Sequence, residues 1–428
     1  MTWEIRVGDC RAILPTLPEA SVDAVVTDPP YGLGFMGVRW DTFANERRER
    51  KARGRFDHVG GNHNPTSSAD AARTRRVEAK RYGRWCRAWA RECLRVLKPG
   101  GHLVAFGGTR TYHRLACAIE DAGFEIRDQI GWLYGSGFPK SLDVSKAIDK
   151  AAGAEREVVG KRPAIPGVAF EQSAPYATGR REIEITAPAT AAARQWAGWG
   201  TALKPAHEPI CLARKPLVGT VAENVLRYGT GAINVDACRV AVPAGDRTEY
   251  GVNGDEQSEP GWSGGLGRVA YERSALGRWP ANVVHDGSDE VLAIFPVEAG
   301  AFAPVRGTEP SRPAKHTYGE FRRGGGAFHA DAGSAARFFY CAKADRDERG
   351  AGNAHPTVKP VALMLWLVRL VTPPGGLVLD PFAGSGSTGI AALRAGFRCL
   401  LIEREPAYAE IARRRIVGDA PLLHGVGA

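Results

Sequence analysis

The stretch Leu377-Val378-Leu379-Asp380-Pro381-Phe382-Ala383-Gly384-Ser385-Gly386-Ser387 reads as a buried apolar strand, then a glycine-rich turn, then a helix running through Ala395. A turn at the carboxyl end of a strand in an open parallel sheet is where nucleotide-like ligands bind. Its glycines let the chain turn tightly and let backbone approach a ligand. Phosphate-binding loops usually carry a lysine and aim helix N–H groups at an anion. This turn begins with Asp380 and has no lysine, which suits a ligand bearing positive charge, such as a sulfonium or an α-amino group. The next strand, Arg398–Glu403, ends in Glu403, 23 residues beyond Asp380. From there a carboxylate can accept hydrogen bonds from two ribose hydroxyls. Turn and carboxylate together predict a site for an adenosine-containing cofactor.

Toward the other end of the chain, Val22–Thr27 is a valine-rich run and a second predicted buried strand. It ends in Thr27-Asp28-Pro29-Pro30-Tyr31-Gly32. Pro29 and Pro30 fix φ and remove two donors, leaving a stiff, carbonyl-rich loop beside a carboxylate and an aromatic ring. That set matches an exocyclic amine: Asp28 and a backbone carbonyl accept its two hydrogens, and Tyr31 stacks on the ring that bears it. The plain alternative is an ordinary Asp-Pro-Pro turn with a surface tyrosine. The position at a strand's carboxyl end, in a chain with a cofactor turn, favours the chemical reading.

Regular α/β patterning fills the first third and the last stretch of the chain. Strands are predicted at Trp3–Val7, His102–Phe106 and Glu125–Tyr134, with helices at Gly83–Leu97, Thr111–Ala122, Val361–Leu370 and Pro406–Ile416. Between them the pattern loosens, with a helix near Val144–Ala152 and a strand at His207–Arg214. Residues 240–275 and 300–335 read as Gly-, Pro- and Ser-rich loops. This predicts a catalytic half (1–140, with a basic loop at 41–82), an insertion or target-recognition region (141–350) containing a returning core strand near 207–214, and a cofactor-binding half (351–428).

With both motifs in hand, the chain resembles the amino-methyltransferases of DNA modification, whose signatures are a D-P-P-Y tetrapeptide and an F-x-G-x-G loop. Here these are Asp28–Tyr31 and Phe382–Gly386. The order, with catalytic motif first, target-recognition region in the middle and cofactor motif last, is that of the permuted β group. Gly8-Asp9 resembles the element flanking the cofactor's adenine. Asn353-Ala354-His355-Pro356-Thr357-Val358-Lys359-Pro360 resembles the segment holding the methionine carboxylate, with Thr357 and Lys359 as its polar contacts. His207-Glu208-Pro209-Ile210 resembles the strand lining the target-base pocket, and Trp132–Lys140 resembles phage and prophage members of the group.

The resemblance implies a Rossmann-like α/β fold, a seven-stranded mixed sheet with helices on both faces. Its permutation requires strand Trp3–Val7 to sit beside Arg398–Glu403. The cofactor implied is S-adenosyl-L-methionine, contacted by Asp9, Thr357, Lys359, Asp380, Pro381, Phe382, Gly384, Gly386 and Glu403. The reaction implied is methylation of the exocyclic amine of adenine in double-stranded DNA, with Asp28, Pro29, Pro30 and Tyr31 as the catalytic set. Methyl transfer from a sulfonium is an in-line displacement in which charge disperses, so it needs no metal. The target atom lies inside the duplex stack, so the base must be flipped out, at a cost of about a few kcal/mol. Cytosine-N4 members more often carry Ser in place of Asp28, which favours adenine over that alternative. RNA or protein-glutamine methyltransferases, the remoter alternative, typically carry Asn-Pro-Pro-Tyr after the cofactor loop.

The net charge of +10 is concentrated, with sixteen Lys/Arg against seven Asp/Glu in residues 41–100. Such a segment is either a surface for a polyanion or a solvated loop. Beside the catalytic tetrapeptide, Arg47, Arg48, Arg50, Lys51, Arg53 and Arg55 read as an arm closing over the DNA backbone. Arg84, Arg87, Arg91 and Arg95 read as the exposed face of a structural helix, and Trp196, Trp199 and Trp279 as core anchors of the middle region. The eight cysteines include no CxxC pair, and the ten histidines never take metal-ligand spacing beside them. These features predict reduced thiols, no structural zinc and a cytoplasmic location. The expected partner is duplex DNA, without membrane, and a homodimer is left open.

Overall fold

The run Val22–Thr27 is buried at all six positions, as a strand covered by helices on both faces must be. It lies inside a mixed sheet in the computed structural model, which describes residues 3–32, 68–137, 141–163, 182–241, 277–297, 333–343, 353, 355 and 357–419. In chain order the strands are β1 (Trp3–Val7), β2 (Val22–Thr27), β3 (Leu97–Phe106), β4 (Glu125–Leu133), β5 (Val158–Pro163), β6 (Glu182–Thr186), β7 (His207–Arg214), β8 (Val283–His285), β9 (Tyr340–Cys341), β10 (Leu377–Asp380) and β11 (Arg398–Glu403). The main sheet has the order β1-β11-β10-β2-β3-β7-β4-β8-β9. Neighbours pair in parallel except around β7, which runs antiparallel to both β3 and β4.

The two ends of the chain close the sheet as the permutation requires, with Trp3 opposite Cys399 and Val7 opposite Glu403. Strands β10 and β2, separated by most of the sequence, are neighbours in register Val378↔Ala24 and Leu379↔Val25. Side-chain alternation divides the interior into two cores. Ala24, Val26, Val104 and Phe106 face one side with helix Val361–Val371, while Val25, Leu103 and Ala105 face the other with Cys86, Trp89 and Cys93. Asp23 ties three central strands together: its carboxylate accepts from Lys98 Nζ at 2.6 Å and from the Leu377 backbone N–H at 2.7 Å.

Several expectations are corrected. The sheet has nine strands among the described residues rather than seven, because the short β8 and β9 extend it beyond β4. The helix predicted from Gly83 begins at Ser68. Its first turns are alanine, arginine and lysine rich, so helix propensity prevails where the charge reads as loop. Lys98–Gly101 does stop that helix, but as an interruption inside β3: the pairing with β2 jumps from Val22↔Leu97 to Ala24↔His102. Arg84, Arg87 and Arg91 are exposed, whereas Arg95 is half-buried, donating to the carbonyls of Leu14 and Leu17.

Within the predicted insertion 141–350, the strand β7 returns to the main sheet. Residues 136–206 form a compact unit of their own, and 207–428 belong with the main one. The smaller unit holds the hairpin β5–β6 and helices Val144–Ala151 and Ala191–Gln195. It is organised on Asp149, fully buried, which accepts from Arg156 at 2.6 Å, from two backbone N–H groups and from the Thr190 hydroxyl. Against the effect of burial, those donors hold its carboxyl down at about 2. Trp196, Trp199 and Trp279 are not core anchors, being 40%, 59% and 67% exposed. Trp196 and Trp199 form an edge-to-face pair at 4.9 Å, and Trp279 lies beneath the Arg239 guanidinium. Residues 47–55 and most of 240–275 and 300–335 fall outside the described residues.

Candidate active site

Parallel strands point their carboxyl ends the same way, so Asp9 (after β1), Asp28 (after β2), Phe106 (β3), Asp380 (β10) and Glu403 (β11) meet along one edge. The antiparallel β7 begins where its neighbours end, with Glu208 opposite Trp132 near the end of β4. That reversal brings Glu208 to the same edge.

Asp380 is 1% exposed, and it faces inward. Its carboxylate accepts from the Thr27 hydroxyl at 2.6 Å, the Thr388 hydroxyl at 2.5 Å and the Phe382 N–H at 3.0 Å. Burial nonetheless pushes its carboxyl up to about 6. Asp380 therefore rivets the end of β2 to the cofactor turn instead of facing a charged ligand, as its place in the turn suggests. Pro381 is buried behind it. Gly386 has φ +84, and a Cβ there would meet Ala412 at 2.9 Å, so this glycine lets a neighbouring helix approach closely. Gly384, with φ +51, lies under the His355 ring in the same way. The Phe382 ring is partly buried between Trp85 (5.3 Å) and Trp89 (5.4 Å).

Glu403 carries the adenosine expectation. It is 7% exposed, and its two oxygens each take one backbone donor, Gly384 N–H at 2.7 Å and Glu405 N–H at 2.8 Å. A carboxylate oxygen has a second lone pair, so both retain an acceptor position. Asp9 caps the helix Cys10–Ile13 and pairs with Arg11 at 2.7 Å, which holds its carboxyl below the usual range. Thr357 is exposed, its backbone folded onto the His355 ring. His355 is buried against Tyr408, with its ring pKa lowered by burial. Acceptor-rich strand ends around open lone pairs fit a cofactor that combines a ribose diol with a cationic sulfonium.

Lys359 is where the structure departs furthest from expectation. Its ammonium does not stand apart as a carboxylate contact. It donates to Asp28 Oδ2 at 2.7 Å and to the Tyr31 hydroxyl at 3.1 Å, and lies 3.2 Å from Glu208 Oε2. The ring of Phe106 is 4.9 Å away. The Tyr31 hydroxyl lies 2.9 Å from Asp28 Oδ1 and 3.1 Å from Glu208 Oε2. Thr111 Oγ1 holds the Tyr31 carbonyl at 2.7 Å. Against the cost of burial, two carboxylates keep the lysine charged, while burial and the same carboxylates raise the Tyr31 phenol well above its ordinary value. Pro29 is buried at the base of this loop, with Pro30 partly so. Sequence reasoning gives Glu208 no role of its own; its only signal is its place on the strand likened to a base-pocket wall. Among the described residues there is no group of three or more metal-ligating side chains. None of their helices is long and apolar enough to cross a membrane.

A fold of this order, with a glycine-rich cofactor turn beside an Asp-Pro-Pro-Tyr strand end, defines a class. Residues 22–414 match the N6_N4_Mtase family, described as DNA methylase, and the chain belongs to that family. It is 26% identical over 229 residues to the type II methyltransferase M.HindIII of Haemophilus influenzae, a match covering 51% of this chain and 60% of that protein. It is 45% identical over 72 residues to the type II methyltransferase M2.DpnII of Streptococcus pneumoniae, covering 17% of this chain and 26% of that one. The chain thus spans less than two thirds of the length of either relative. Among solved structures, the PvuII DNA methyltransferase (cytosine-N4-specific) aligns with TM-score 0.44 and 13% identity, over 100% of this chain and 89% of that one.

Proposed function

We propose that this chain transfers a methyl group from S-adenosylmethionine to the exocyclic amine of adenine in double-stranded DNA, acting on a base flipped out of the duplex. The observation that carries the reading is the join between two distant strand ends: Thr27, next to Asp28, is hydrogen-bonded to Asp380 at the head of the cofactor turn. That contact joins the Asp28 loop to the glycine-rich turn, which supports a shared site in which substrate and cofactor are held together for reaction.

When bound, S-adenosylmethionine supplies an electrophilic methyl group on a sulfonium. Glu403 would accept its ribose hydroxyls, with Asp9 at the neighbouring strand end and the Phe382 edge against it. Asp28 and the Pro29 carbonyl accept the hydrogens of the target amine. By holding both, they favour a more localised, tetrahedral lone pair on nitrogen, otherwise spread into the ring. The fixed loop provides that charge complementarity without reorganising. Tyr31 is tied by its hydroxyl, so it offers its ring face from a defined position.

Sequencing of modified bases in DNA from cells expressing the protein tests the reading directly. It should show N6-methyladenine at one recurring sequence. N4-methylcytosine instead would correct the base, and unmodified DNA would overturn the reading. Asp28→Ala should abolish methyl transfer and leave S-adenosylmethionine binding by calorimetry within about threefold, since Asp28 is not among the cofactor contacts. Near-normal turnover in that variant would remove Asp28 from its role.

A further inference from the structure

Three hydrogen-bond acceptors meet Lys359: Asp28, Glu208 and the Tyr31 hydroxyl. An ammonium has three protons, so all are engaged. The acceptors are unequal. Two are carboxylates, and the third is a neutral phenol oxygen at 3.1 Å. Charged acceptors hold a proton more strongly than neutral ones, so the proton on Tyr31 is the one most readily redirected. Glu208 matters here because it is a second carboxylate on the ammonium, at 3.2 Å, and so holds it at the amine site.

Asp28 Oδ2 and Lys359 Nζ then stand side by side, an acceptor and a donor 2.7 Å apart. Adenine and cytosine share one edge with the complementary order: an amine that donates, next to a ring nitrogen that accepts. Guanine and thymine carry at that edge a carbonyl next to a ring N–H, which would set acceptor against Asp28 and donor against Lys359. Resting on the function proposed above, we infer that Lys359, anchored by Glu208, donates a hydrogen bond to the ring nitrogen beside the target amine, so that Asp28 and Lys359 read the base as a pair. Lys359 thereby touches the substrate and orients the amine. The Tyr31 oxygen holds the same proton while no base is present.

The test uses the full chain and duplexes carrying its mapped target. In one duplex the target is adenine, and in the other it is 1-deazaadenine, in which C–H replaces the ring nitrogen beside the amine; both targets face an abasic site, so that neither has a pairing bond to break on flipping. The wild type should lose about tenfold or more in kcat/KM and in duplex affinity on 1-deazaadenine, as losing a hydrogen bond to a charged donor implies. Lys359→Met should treat the two duplexes within about twofold of each other. Equal handling of both duplexes by the wild type overturns the inference, and so does a Lys359→Met variant that still discriminates tenfold. The wild-type comparison decides the matter even if the variant folds poorly. Failure of the wild type to methylate the unmodified duplex would instead strike the proposed function itself.

Discussion

Asp380 shows how a single side chain can join two strand ends through its hydrogen bonds. Three donors converge on its buried carboxylate, two of them hydroxyls on different elements. Asp380→Ala would leave those donors unmatched inside the protein. It should cost about 2–4 kcal/mol in urea unfolding, given the penalty for orphaned buried polar groups. Asp380→Asn keeps an acceptor and should lose distinctly less. Equal losses would show that the charge, and not the acceptor, holds the turn. Lys359 teaches the converse. Its residue type and place in the chain suggest a contact for a ligand carboxylate, yet its ammonium is held by two carboxylates of the protein.

Among the secondary-structure elements, β7 does the most to shape the site. As the antiparallel member of the central sheet it delivers Glu208 to the edge where the parallel strands end, and it packs His102 of β3 opposite Arg214. His102 is 4% exposed, and burial, reinforced by Arg214 and Arg127, lowers its pKa from 6.5 to about 4. A histidine depressed in the folded state takes up its proton first when unfolded. Its contribution is therefore complete above about pH 6.5 and is lost as pH falls toward 4. Between pH 7 and pH 5 the wild type should lose about 2 kcal/mol more than His102→Gln in urea unfolding. A parallel decline of both proteins would show that His102 titrates alike in the folded and unfolded states. The exposed Trp196 and Trp199 make a related point, because aromatic residues in an irregular region do not by themselves define a core.

Across the molecule, the permuted order places the chain's two halves as neighbours through β1–β11 and β10–β2 pairing. The Asp-Pro-Pro-Tyr loop and the glycine-rich turn thus share an edge although they lie far apart in the sequence. The net charge of +10 gives such a protein a general attraction to polyanions. We expect replacement of Arg47, Arg48, Arg50, Lys51, Arg53 and Arg55 by serine to flatten the salt dependence of duplex binding, by about one unit of slope for each phosphate no longer neutralised. An unchanged slope in a binding titration from low to moderate salt would return that segment to a solvated loop.

The order of amino acids was enough to locate the strands that end in chemistry. Val22–Thr27, His207–Arg214, Leu377–Asp380 and Arg398–Glu403 occur within the predicted bounds, because apolar runs bounded by turn residues are local signals. The adjacency of the two motifs also followed from their order, once the permuted resemblance was recognised. Where the polar groups spend their hydrogen bonds, by contrast, emerged with the packed fold. Asp380 turned inward, Lys359 joined Asp28 and Glu208, and Glu208 reached the same edge through the reversal of one strand. Such partners lie up to hundreds of residues apart, and which donor reaches which acceptor depends on strand direction and packing, which no local pattern of residues encodes.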